Sequence, residues 1–169
     1  MTALAGPRDI IQTNDDVAWA VGVDTNVIVY EGAMLAKLTA GGWAKPATAV
    51  ASMTVLGLAD FSGDDPNGGP TGQAATGAVD PYRALRKLDM TGVTAGSKLC
   101  KIRQGCFERE NKAGDLVTNQ HIGIPVHVED DNTVRATAAA SSPAGTLIRF
   151  HPRSGKPMVK MGVGGRGIY

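Results

Sequence analysis

The sequence predicts a mainly β fold, a small β-barrel or β-sandwich of about seven to eight short strands. Glycine supplies 22 of the 169 residues and proline a further nine, which suits many short strands joined by turns. Short β-prone runs recur between these turn residues. No strand–helix alternation of useful length is visible, which argues against an α/β architecture. A chain of this length is expected to form one domain.

The first strands are expected in the N-terminal half of the chain. Residues 26–30 and 34–38 are short β-prone runs, separated by a glycine that suits a turn or bulge. Residues 53–59 form a longer apolar run and predict another strand. Residues 1–16 show no sustained period and end in a polar run, so we interpret them as an extended N-terminal arm.

The amino-acid composition changes in the middle of the chain. Residues 61–80 are rich in Gly, Asp, Pro, Asn and Thr, which predicts a long surface loop. Asp80 is followed by proline, the order typical of a helix N-cap and first helical position, so one or two helical turns are expected in 81–89. The prediction is therefore a loop and short-helix insertion at about 61–96, within a β domain spanning 17–163.

The clearest strand covers residues 97–107. Cys100 and Ile102 fall on one face, and Lys101 and Arg103 fall on the other. This period of two is typical of a strand with one buried and one solvated face.

A second alternation occurs in residues 145–150. It places Leu147 and Arg149 on one face and Ile148 and Phe150 on the opposite face. A strand with these two faces is the prediction.

A hairpin is expected just before that strand. Residues 126–128 and 133–136 flank the acidic run 129–132, which is suited to a tight turn. The last strand is predicted at 158–163, and the glycine-rich residues 164–169 are predicted to be a flexible C-terminal tail.

Composition argues against several functional classes. The 17 basic and 16 acidic side chains give a net charge of +1, too balanced to predict a nucleic-acid-binding surface. No apolar run is long enough for a membrane span, and the N-terminus does not resemble a secretory signal. A cytosolic site of synthesis is expected, where Cys100 and Cys106 are free thiols.

No arrangement of reactive side chains predicts an active site. His121, His127 and His151 match neither a metalloprotease motif nor zinc-finger spacing. The carboxylate clusters, such as 64–65 and 129–131, lie in turns, where Asp is favoured for its local hydrogen bonds. We therefore predict a protein that is not an enzyme, with no catalytic, metal-binding or cofactor-binding residues.

A series of short segments nevertheless carries a family signal through its order and spacing. The segments are IVYEGAMLA at 28–36, GGWAKPA at 41–47, VLGLA at 55–59, IRQGCF at 102–107, IGIPVHVEDDNTV at 122–134 and PAGTLIRF at 143–150. In this order the chain resembles the capsid decoration proteins of tailed bacteriophages, also called head cement or minor capsid proteins. The resemblance covers most of residues 26–161.

The resemblance implies a structural role on the virion. Proteins of this family bind the outer surface of the assembled head and stabilise it by bridging neighbouring major capsid subunits. The implied partners are the major capsid protein and further copies of the chain, with a trimer favoured over a dimer. Neither nucleic acid nor a membrane is implied as a partner. The implied location is the capsid exterior, after assembly in the host cytoplasm.

The two ends of the chain are the predicted capsid-contact segments, because each combines apolar or aromatic side chains with arginine. Two other functions stay open: another phage structural β module of the tail, spike or baseplate, and a glycan-binding β-sandwich. Glycan binding usually uses exposed aromatic residues, and beyond the phenylalanines only Trp19, Trp43 and three tyrosines are available for it. The contact candidates are Leu4, Arg8, Ile10, Ile11, Arg166, Ile168 and Tyr169.

Overall fold

The computed structural model describes residues 17–61 and 87–162, with only the backbone described for 17–19. The predicted mainly β fold is confirmed. Twelve strands form in these ranges. They are β1 Val17–Gly22, β2 Ile28–Tyr30, β3 Met34–Leu38, β4 Lys45–Pro46, β5 Met53–Asp60, β6 Lys87–Asp89, β7 Leu99–Glu108, β8 Glu110–Asn111, β9 Pro125–Val128, β10 Thr133–Arg135, β11 Pro143–Phe150 and β12 Pro157–Met161. Those that were not predicted are the six-residue β1 and the two- or three-residue β4, β6 and β8.

Ten of these strands belong to one sheet. Its order is β4-β3-β5-β7-β12-β11-β9-β10-β8, and β1 pairs with β7 as a branch. Strands β2 and β6 form a separate two-stranded sheet. Over the described ranges the sheets do not close into a barrel. No helix in these ranges is long and apolar enough to cross a membrane.

Strand β7 connects the parts of this fold, because its ten residues are enough to pair with three other strands. It pairs antiparallel with β1 over residues 99–104, with β5 over 101–103 and with β12 over 105–108. The predicted alternation is confirmed: Cys100 and Ile102 are fully buried, whereas Lys101 and Arg103 are half-buried. Cys100 and Cys106 form no disulfide.

Two hydrophobic cores lie on opposite faces of β3 and β5. In β3, Met34 and Ala36 face the first core and Leu35 faces the second, as expected for alternating side chains. The first core contains Met34, Ala36, Ala47, Met53, Val55, Leu58, Phe107, Val117, Val126, Val128, Val134, Ala144, Leu147, Val159 and Met161. The second contains Val23, Val29, Leu35, Ala44, Leu56, Ala59, Met90, Cys100 and Ile102.

A β-bulge in β5 keeps both cores supplied with apolar side chains. Leu35 pairs with Gly57, but the next residue of β3, Ala36, pairs with Val55, so Leu56 is the extra residue. Val55 and Leu58 consequently both reach the first core, although an uninterrupted strand would place them on opposite faces.

A second irregularity makes the predicted faces of residues 145–150 wrong. The pairing of β11 with β12 shifts between Leu147 and Arg149, which leaves Ile148 as an extra residue. Leu147 is buried in the first core and Phe150 packs against the same core, while Ile148 is exposed. The shift changes the alternation, so two residues predicted on opposite faces meet one core.

The helix predicted within 81–89 is wrong for its last three residues, which form β6. Val29 of β2 pairs with Leu88, and Leu88 packs against the second core. Met90, two residues after Leu88, is fully buried in that core. Pairing with β2 and burial of Met90 thus override a weak local helix signal. Residues 62–86, with the rest of the predicted loop and helix, lie outside the described ranges.

The predicted hairpin is confirmed as β9 and β10, with Val134 opposite Val128 and Arg135 opposite His127. Its turn is held by the Asp130 side chain. One carboxylate oxygen of Asp130 accepts hydrogen bonds from the backbone N–H groups of Asn132 and Thr133, at 2.9 and 2.7 Å. This is the local bonding that favours Asp in turns.

Candidate functional site

The seven predicted capsid-contact residues lie outside the described residues, in 1–16 and 163–169. The Trp19 side chain is also outside them. The described ranges 17–61 and 87–162 form the β body of the protein.

Two histidines hold the turns in which they lie. The Nδ1 atom of His121 is 3.0 Å from both the backbone nitrogen and the hydroxyl of Thr118, closing the short 3-10 helix Asn119–His121. The Nδ1 atom of His151 accepts a hydrogen bond from the Ser154 backbone at 3.3 Å. Each imidazole thus accepts a hydrogen bond from a backbone N–H three residues away in the chain.

His127 differs because it is half-buried in β9, directly opposite Arg135 of β10. Burial lowers the pKa of its imidazole, while a hydrogen bond to the Ser141 backbone acts in the opposite direction. Burial thus favours the neutral form of the ring. Across the described ranges, no three His, Cys, Asp or Glu side chains are grouped closely enough to hold a metal ion.

The carboxylates of the second half of the chain stabilise loops through ion pairs. Arg135 binds Asp115 at 2.9 Å and Glu129 at 3.1 Å, and Lys112 binds Glu129 at 2.6 Å. A hydrogen bond from the Thr137 hydroxyl is the main reason that the pKa of Asp115 is lowered. The network connects the hairpin to the loop after β8, which is a structural role.

Three exposed isoleucines lie where residues 122–124 meet β11, just before β9 begins, and we call this set the isoleucine edge: Ile122, Ile124 and Ile148. Their exposed fractions are 48%, 49% and 43%. The Gly123 N–H donates to the Leu147 carbonyl at 2.8 Å, and the Leu147 N–H donates to the Ile124 carbonyl at 3.2 Å. Sequence analysis did not identify this set, although the two isoleucines on either side of Gly123 could have indicated it.

A second exposed surface is built around Trp43. Its side chain is 49% exposed, yet its ring lies directly against Gly22 and Gly96. A Cβ atom added to Gly22 would lie 2.7 Å from Trp43 Cε3, and one added to Gly96 would lie 2.5 Å from Cη2. We call Trp43 and these two glycines the Trp43 platform.

Backbone hydrogen bonds join the three segments of this platform. The Ala44 N–H donates to the Gly22 carbonyl at 2.9 Å, and the Asp24 N–H donates to the Ala44 carbonyl at 2.8 Å. The Gly96 N–H donates to the Val23 carbonyl at 2.8 Å. The ring therefore has a fixed backbone support. Sequence analysis named Trp43 as an available aromatic residue but did not identify the glycines beneath it.

No family model, curated protein or solved structure matches this chain. The isoleucine edge and the Trp43 platform are therefore the structural basis for assigning a function.

Proposed function

We propose that this protein is a capsid decoration protein of a tailed bacteriophage, which binds the outside of the assembled head and bridges neighbouring major capsid subunits. The observation that carries the proposal is the isoleucine edge, three exposed apolar side chains at the junction of residues 122–124 with β11. The order and spacing of the segments that resemble those of head cement proteins also support it. A phage tail, spike or baseplate module is the alternative with the same physical requirements.

The isoleucine edge has the properties of a protein-docking surface. Burying a whole isoleucine side chain contributes about 1.5–3 kcal/mol, so covering the exposed half of three contributes about 2–4 kcal/mol. The backbone that presents them is already held by the bonds between Gly123, Ile124 and Leu147. Little conformational entropy is then lost on docking.

One such edge gives only modest affinity, and two further features of the proposal increase it. A homo-oligomer, with a trimer favoured, presents the same edge several times to a symmetric shell. The contact candidates in residues 1–16 and 163–169 add apolar side chains and Arg8 and Arg166 to the proposed contact. The proposed protein acts without catalysis and without nucleic acid or membrane partners.

The test is addition of the purified full chain to expanded heads that lack decoration, with the bound copy number measured. A triple variant, Ile122→Ser, Ile124→Ser and Ile148→Ser, is expected to bind heads at least tenfold more weakly, about 1.4 kcal/mol. Val50→Ser is the matched control, since Val50 is an equally exposed aliphatic residue at 48%. Failure of the full chain to bind heads overturns the proposal, and binding to isolated tails supports the alternative.

The role of the chain ends is tested separately. Removal of residues 1–12, or of 164–169, is expected to leave the β body folded and to weaken attachment tenfold or more. Circular dichroism checks the fold of both truncated chains. If both bind heads as tightly as the full chain, docking depends on the β body alone and the seven contact candidates are withdrawn.

A further inference from the structure

We propose that the Trp43 platform is a carbohydrate-binding site that takes a neutral hexopyranose ring of a polysaccharide. This function is additional to capsid attachment and uses a different surface from the isoleucine edge.

The first argument is the way in which the indole is presented. The six-membered part of the ring lies directly against the backbone of Gly22 and Gly96, while about half of the side chain is exposed. Gly96 has φ of +77°, which by itself favours glycine. Gly22 has no positive φ, so the contact with Trp43 is what excludes a side chain there. The two glycines thus let the ring pack closely against backbone while about half of the Trp43 side chain stays accessible to a ligand.

The second argument is preorganisation. The backbone hydrogen bonds from Ala44, Asp24 and Gly96 tie three separate chain segments together beneath the ring. A ligand that stacks on the ring therefore does not have to order the site first, which reduces the entropic cost of binding.

The third argument concerns the chemistry around the ring. An aromatic face carries partial negative charge and attracts the weakly positive C–H groups that line one face of a pyranose. Polar groups lie next to the platform in sequence. Ser97 and Thr94 form an exposed turn in which the Ser97 hydroxyl donates to the Thr94 carbonyl at 2.6 Å. The Asp24 carboxylate accepts the Thr25 N–H at 2.8 Å and has further acceptor positions for sugar hydroxyls.

A proline-rich peptide is the main competing ligand, and the structure favours it less. Such peptides dock in grooves lined by several aromatic side chains. Trp43 is the one aromatic among the exposed large hydrophobic residues of the described ranges. Its exposed apolar neighbour is Leu99, which pairs with Gly22 and therefore projects on the same face of the β1–β7 ladder. A single ring flanked by Leu99 suits one sugar unit better than a groove-bound peptide.

Affinity electrophoresis of the full chain through gels containing a glucan, a galactan or a mannan tests the proposal. At least one polysaccharide is expected to retard the protein. Trp43→Ala is expected to weaken that interaction tenfold or more, while Trp43→Phe retains part of it. Gly22→Ala, which displaces the ring, should also weaken binding, and Val50→Ser should not. Thermal unfolding checks that each variant is folded.

Retardation by none of the three polysaccharides overturns the proposal, and so does equal retardation of the wild type and Trp43→Ala. Binding of a polyproline peptide in place of the polysaccharides also overturns it. The head-binding assay separates the two proposals. The triple isoleucine variant should keep polysaccharide binding, and Trp43→Ala should keep head attachment. Loss of head attachment in Trp43→Ala would assign the platform to capsid docking instead.

Discussion

Replacement of Gly57 by alanine is expected to destabilise the fold strongly, because Gly57 of β5 packs directly against β7. Its φ is +148°, and a Cβ atom there would lie 2.5 Å from the Arg103 carbonyl oxygen. It would also lie 2.7 Å from the Ile102 side chain. The nearest obstacle is backbone and cannot rotate away. Relief therefore requires β5 to move from β7.

The size of the effect follows from two contributions. A residue with a side chain in this glycine-specific backbone region costs about 1–3 kcal/mol. Separating the strands adds about 1 kcal/mol for each ladder hydrogen bond that is lost. With two such bonds lost, the free energy of unfolding should fall by about 3–5 kcal/mol. For a chain of this size, that corresponds to a melting temperature lower by roughly 6–20 °C.

Gly92→Ala provides the matched control. Gly92 has φ of +67° but nothing within 4 Å of an added Cβ, so only the backbone conformation is penalised, by about 1–2 kcal/mol. Urea denaturation followed by circular dichroism measures both variants. The explanation based on close strand approach is refuted if Gly57→Ala loses no more stability than Gly92→Ala.

Three further predictions concern the body of the protein. Ser142→Ala should lower the free energy of unfolding by about 1–3 kcal/mol in urea titrations, because the buried hydroxyl accepts the Met53 N–H at 2.8 Å and donates to the Val50 carbonyl at 3.0 Å. An unchanged urea midpoint would contradict this. Burial lowers the pKa of His127, so the unfolded chain binds more protons below about pH 6.5 and stability should fall as the pH drops from 7.5 to 5.5. His127→Gln should reduce this slope, and identical slopes would rule the histidine out as its source. Phe107→Ala removes the largest fully buried side chain and should cost about 3–5 kcal/mol, whereas a loss below 1 kcal/mol would show that the first core does not depend on it.

The sequence alone determined the features that depend on neighbouring residues. The abundance of turn residues indicated short strands. The alternation around Cys100 and Ile102 identified the buried face of β7, because successive side chains in a strand point to opposite faces. The acidic run containing Asp130 identified the hairpin turn, because an Asp side chain bonds to backbone N–H groups two and three residues later.

The tertiary structure decided the features that depend on contacts between distant segments. Leu56 and Ile148 are extra residues in bulges, and each changes which later side chains reach a core. Residues 87–89 became a strand because β2 offered a partner, and no local pattern encodes that pairing. The Trp43 platform combines segments from three places in the sequence. No local pattern distinguishes Gly22 and Gly96 from other glycines, because their contact with the Trp43 ring forms only in the folded chain.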